Sequence, residues 1–174
     1  SWKSYLEISA DKTAPLFIAP LEGVAAMALH SVAAKAIGSY FRCLGNAYQI
    51  ANDILNFQGN DGAATGSSDL IRRAPNAVIV LFRDSLDNVS KARFDNWYVS
   101  GSKDNHLQWR KKILISPAMR TATVRMQDLI NDSERLAEKL PNELVEVIIP
   151  VQKMLQHECQ KSIEIVTPHQ RARL

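Results

Sequence analysis

Only two cysteines, Cys43 and Cys159, occur in 174 residues. They lie far apart within helical patterns, so they give no disulfide framework and read as buried free thiols in a reducing compartment. Runs of like charge are also missing: 21 Lys and Arg are spread among 18 Asp and Glu, leaving a net charge of +3. That argues against a nucleic-acid footprint, which gathers cations on one face. Gly and Pro, 7 of each, are too few for a low-complexity chain. Nothing alternates with period two for long, so no sheet is expected. The most apolar stretch, residues 14–41, is interrupted by Glu22, His30 and Lys35. It reads as a buried helix, and no transmembrane segment is expected. No secretory signal is expected from the opening Ser1-Trp2-Lys3-Ser4, which leads straight into a helical pattern. The expected location is cytoplasmic, or an organelle lumen if an upstream targeting segment has been removed. His30, His106, His157 and His169 fall at no metal-ligand spacing. Nucleophile-elbow, phosphate-loop and zinc patterns are missing too.

What is present is one unusual helix. Over residues 44–57, a period of 3.6 puts Gln49, Asn52, Asp53 and Asn56 on one stripe, flanked by Leu44, Ala47, Ala51 and Leu55. A solvated face would mix Lys, Glu and Arg, yet no cation occurs between Arg42 and Arg72. Taken bare, the stripe fits a capped or solvated surface as well as it fits a site. Trp97 and Trp109 suit helix packing better than base stacking.

The segment about forty residues upstream, which contains Tyr5-Leu6-Glu7-Ile8 and Lys12-Thr13-Ala14, changes that balance. With Leu44-Gly45, Tyr48-Gln49-Ile50, Asn52-Asp53-Ile54-Leu55-Asn56-Phe57 and Gly66-Ser67-Ser68-Asp69-Leu70, it forms an ordered, correctly spaced set. This set resembles the C-terminal half of a trans-isoprenyl diphosphate synthase, the all-helical family of farnesyl and geranylgeranyl diphosphate synthases. The family pattern has a Lys-Thr pair before a helix, then Phe-Gln-Ile-x-Asp-Asp-x-x-Asp, and a loop into Gly-x-Asp-Leu. The resemblance extends over residues 5–81 and is only loosely helical beyond.

Departures from the pattern bear on activity. The family holds metal between two Asp-rich motifs, and no Asp-Asp-x-x-Asp occurs anywhere in this chain. In the second motif Asn52 and Asn56 replace the first and last Asp, leaving Asp53. Asn offers Mg²⁺ a neutral carbonyl where a hard cation favours charged oxygen. Ala74 stands near the position of a diphosphate-binding Lys; Arg72 or Arg73 could take its place, or could be solvated arginines capping a loop.

The resemblance implies a role for each of these positions. Lys12 would bind diphosphate, and Thr13 and Gln49 would sit near the reacting carbons. Asp53, helped by Asn52 and Asn56, would bind Mg²⁺, with Asp69 in a loop closing over the metals. The substrate would be an allylic prenyl diphosphate, with isopentenyl diphosphate as the second substrate of an elongating enzyme. A second chain carrying the N-terminal half of the fold would supply the first Asp-rich motif, within a larger oligomer. Two alternatives stand beside this prenyltransferase. One is a terpene synthase derived from the family: Asn52-Asp53 agrees with the opening of the cyclase metal motif, while Asn56 and Asn60 stand where that motif has Ser or Thr and then Glu. The other is a catalytically silent regulatory or scaffolding subunit. The missing initiator Met fits an expressed fragment, a cleaved product or the second piece of a longer polypeptide.

The expected fold is all-α, one helical domain over residues 1–166 with a frayed tail over 167–174. A first long helix is expected over residues 14–37, ended or bent by Gly38 and Ser39, with its apolar face needing a partner. Residues 59–68 are the clearest loop, residues 77–82 a short helix, and residues 99–105 irregular. Two amphipathic helices follow, the second capped by Asn142 and kinked at Pro150.

Overall fold

The computed structural model describes the backbone of residues 1–27, 31–59 and 68–171, with side chains described except at 13–14, 16–22, 24–27, 31–34, 147 and 164–171. The expected all-α fold is observed. Among the described residues there are eight helices and no strand. They are α1 (Trp2–Met27), α2 (Ser31–Gln58), α3 (Ser68–Arg72), α4 (Ala77–Ser85), α5 (Asn88–Ser100), α6 (His106–Ile115), α7 (Ala118–Ala137) and α8 (Asn142–Arg171).

The middle of the bundle is α2, which packs on α1, α7, α8 and α4. Its apolar positions Ile37, Tyr40, Phe41, Leu44, Ile50, Ile54 and Phe57 are fully buried. Each such side chain contributes about 1.5–3 kcal/mol of burial. That explains why Gly38 and Ser39 do not end the helix as expected. A helical Gly costs about 1 kcal/mol relative to Ala, and the buried neighbours Ile37, Tyr40 and Phe41 outweigh it. Ser39 Oγ also donates back to the Lys35 carbonyl (3.1 Å), which keeps it within the helix.

The expected first helix is corrected at its start: it begins at Trp2 rather than residue 14 and carries Pro15 and Pro20 in its interior; it is described to Met27, residues 28–30 lying outside the described residues. Lys12 and Thr13 therefore lie inside a helix rather than before one. The expected exposed apolar face of residues 14–41 falls largely on side chains outside the described ones.

Further on, residues 77–82 are helical as expected, and residues 101–105 form the irregular connection between α5 and α6. In the last helix the cap moves by one residue: the Pro141 carbonyl accepts from Leu144 N (3.0 Å) and Val145 N (3.1 Å), and Asn142 is already helical. That helix continues through Pro150 to Arg171, so most of the expected tail is helical backbone. Cys159 is buried and Cys43 half-buried, both as free thiols. Burial pushes the Cys159 thiol up to about 12, which makes it inert.

Candidate functional site

The polar stripe on α2 is inward-facing. Asp53 and Asn56 are 2% and 7% exposed, and Gln49 and Asn52 are half-buried. With Lys12, Tyr5, Ser9 and Asp69 they line a cavity of about 520 Å³ between α1, α2 and α3. Ile8 and Leu55 supply apolar wall.

At its centre both oxygens of the Asp53 carboxylate accept hydrogen bonds. One oxygen, Oδ2, accepts from the Tyr5 hydroxyl (2.8 Å) and from the backbone N–H of Ala77 (2.6 Å). The other, Oδ1, accepts from Gln49 Nε2 (2.9 Å). Ala77 opens α4, so this charge sits where a helix N-terminus favours an anion. Burial pushes Asp53 up to about 6, opposed by the Ala77, Tyr5 and Gln49 donors. It is therefore a carboxylate at neutral pH. The Tyr5 phenol is pushed far up by burial and by the Asp53 charge, so it stays protonated as a donor.

Around Asp53 the other polar residues knit the helices together. Asn76 caps α4, its Oδ1 accepting from Val78 N (2.9 Å) and Ile79 N (3.4 Å). Its Nδ2 donates to Asp69 Oδ2 (3.0 Å) and to the Asp53 carbonyl (3.3 Å). Asn56 donates from Nδ2 to Ser68 Oγ (2.7 Å), and its Oδ1 accepts from Asp69 N (3.3 Å), which latches the start of α3 onto α2. The network joins α1, α2, α3 and α4.

The expected site residues thus divide. Lys12, Gln49, Asn52, Asp53, Asn56 and Asp69 converge on one cavity. Thr13 lies in α1, its side chain outside the described ones. Asn60, Gly66 and Ser67 lie outside the described residues. Arg72 is exposed, and neither it nor Arg73 lines the cavity.

Arg73 is a clamp instead. Its guanidinium donates to the Leu70 carbonyl (2.7 Å) and the Ser102 carbonyl (2.5 Å) and lies 3.8 Å over the Trp97 ring. Burial lowers its pKa. The residue adopts φ 58°, a left-handed conformation rare for a long side chain. Arg73→Ala is expected to cost about 2–3 kcal/mol in urea unfolding, through the unsatisfied carbonyls and the lost cation–π stacking. A loss below about 0.5 kcal/mol would show that the clamp is dispensable.

Two participants were missed in the sequence, Tyr5 and Asn76. Tyr5 stands in the motif stretch without an assigned role. Asn76 carries a usable signal, an Asn directly before the apolar run that opens at Ala77.

Mg²⁺ wants several charged oxygens in near-octahedral array. Both Asp53 oxygens already accept hydrogen bonds, and Asp69 Oδ2 is held by Asn76. Among the described residues no set of three or more His, Cys, Asp or Glu could hold a metal ion. By themselves these residues do not fit a resident Mg²⁺ cluster.

Comparison with known proteins agrees with this geometry at the level of family. No curated protein matches the chain. A polyprenyl synthase from Roseobacter denitrificans superposes with a TM-score of 0.70 at 22% identity, a match that covers 93% of this chain and 52% of that one. The likeness shows a shared fold, and this chain spans about half the length of that structure. The family model for polyprenyl synthetases matches residues 1–113. That match spans more than half of the 174 residues, and within it Lys12 and the Gln49-to-Asn56 stripe meet on one cavity; the chain belongs to the polyprenyl synthetase family.

Proposed function

We propose that this chain works in isoprenoid biosynthesis as the diphosphate-binding half of a prenyltransferase site, with a second stretch of polypeptide supplying the carboxylates that hold Mg²⁺. One observation carries the reading: Lys12, Gln49 and Asn52 converge on the 520 Å³ cavity, while the two carboxylates that line it, Asp53 and Asp69, already accept hydrogen bonds from neighbouring elements. The Lys12 ammonium would neutralise part of a diphosphate's charge, and the Gln49 and Asn52 amides would donate to its oxygens. Ile8 and Leu55 would shield the reacting end of the hydrocarbon from water.

The assay uses dimethylallyl, geranyl and farnesyl diphosphates, each with and without isopentenyl diphosphate. The chain alone is expected to turn over none of them. With a partner carrying an intact Asp-Asp-x-x-Asp motif, longer diphosphates are expected only when isopentenyl diphosphate is present. In that complex Lys12→Ala should lower kcat/KM by roughly 10–100-fold, the loss of one charge-assisted contact. Turnover by the chain alone would end the two-part reading, and cyclic products without isopentenyl diphosphate would mean terpene cyclisation.

A second reading, a catalytically silent subunit, is favoured by the neutral Asn52 and by the use of Asn56 as a latch. It predicts that Lys12→Ala leaves turnover by the complex unchanged.

A further inference from the structure

Away from the cavity, α5 and α6 carry an unusual outer surface. Val89, Val99, Leu107 and Ile115 are 63%, 86%, 67% and 58% exposed. On α6, Leu107, Lys111 and Ile115 follow at intervals of four, which places them on one face. The opposite side packs inward through Ile113, which is fully buried, and Trp109. The outer face therefore presents two exposed apolar side chains, Leu107 and Ile115, on either side of Lys111.

The charge on the same segment is one-sided. No acid occurs in α6, while Arg110, Lys111 and Lys112 follow one another. Lys103 adds a cation in the α5–α6 connection. Of the two acids of that segment, Asp95 is paired with Arg83 (2.6 Å), and Asp104 keeps its charge beside Lys103, with Ser102 Oγ donating to its Oδ2 (3.1 Å). Lys112 Nζ lies 4.5 Å over the Trp109 ring, which leaves Lys111 as the lysine of α6 between Leu107 and Ile115.

The mixture decides between two classes of partner. Protein interfaces are depleted in lysine and gather apolar side chains into a contiguous core. Here single apolar side chains are interleaved with lysines. That suits a lipid headgroup layer, where Leu and Ile sink to the acyl boundary and lysine stems snorkel toward phosphate. Among the described residues no helix is long and apolar enough to cross a membrane, so the contact would be peripheral. We propose that the outer face of α6, with the α5–α6 turn, docks on an anionic membrane surface.

The test is flotation of the chain with phosphatidylcholine vesicles, with and without roughly one-third phosphatidylserine. Binding is expected only to the anionic vesicles and should weaken as salt rises. Lys103→Gln and Lys111→Gln should each lower the partition coefficient about fivefold. Leu107→Ser with Ile115→Ser should lower it at least about tenfold. These side chains are exposed, and circular dichroism checks that each variant remains helical. No binding to anionic vesicles at low salt would overturn the proposal. So would binding that ignores Leu107→Ser and Ile115→Ser, which marks a purely electrostatic surface. Sedimentation supplies the remaining arm: a self-association or partner assembly abolished by the same pair would assign the face to protein, against the proposal.

Discussion

Asp53→Ala is expected to lower the unfolding free energy by about 2–5 kcal/mol, because it strands the buried Ala77 N–H and Tyr5 hydroxyl without acceptors. Both donors point at the same carboxylate oxygen, at 2.6 Å from Ala77 N and 2.8 Å from Tyr5 Oη. Asp53→Asn should cost less, since its one carbonyl oxygen can keep both donors while its amide faces Gln49, whose side chain can turn its own carbonyl to accept. Urea unfolding measures both, and a loss under about 1 kcal/mol in Asp53→Ala would show that the network does not hold the helices together. Turnover by the assembled complex should disappear in Asp53→Ala as well, because the cavity wall formed by α1 and α2 is fixed through this group.

The same residue sets a pH slope. Burial raises Asp53 from its ordinary value to about 6 in the folded chain, while an unfolded Asp titrates near about 3.9. Between those values the native state binds more protons than the unfolded one, so stability falls as pH rises from about 4 to about 6 and is flat above. Asp53→Ala should lack that slope.

Much of this was legible in the order and spacing of residues. The stripe of Gln49, Asn52, Asp53 and Asn56 follows from a helical period, and the periodicity also gives the all-α architecture. What could not be read were the places where long-range packing overrides local preference. Gly38-Ser39 and Pro15 are local breakers, yet α1 and α2 run through them, and at Gly38 the buried neighbours outweigh the local cost. Roles were hidden for the same reason. That Asp53 serves the N-terminus of α4 depends on Ala77, 24 residues away in the chain. That Arg73 clamps a loop instead of facing the cavity depends on Ser102 and Trp97. Spacing brings residues to one face of one helix, but it does not say which group on another helix will claim their hydrogen bonds.

The two asparagines of the altered motif, equivalent in sequence, are therefore expected to behave differently when made acidic. Asn52 is half-buried and lines the cavity, and no hydrogen bond to another described residue ties its side chain. Asn52→Asp would place an uncommitted carboxylate on the wall beside Gln49. It should raise affinity for Mg²⁺ or Mn²⁺ roughly tenfold or more, with little change in stability. Asn56→Asp meets a different environment. Its new oxygen would face Ser68 Oγ, now 2.7 Å from Nδ2, so the Ser68 hydroxyl must rotate to donate. The added charge would also sit beside buried Asp53 and half-buried Asp69 and repel both. That variant should lose about 1–2 kcal/mol of stability and gain less metal affinity than Asn52→Asp. Calorimetric Mn²⁺ titration with urea unfolding of both variants separates the cases. Equal behaviour of the pair would show that the latch between α2 and α3 is not rigid. No gain in metal affinity for Asn52→Asp would show that this wall, even with its charge restored, does not face a metal.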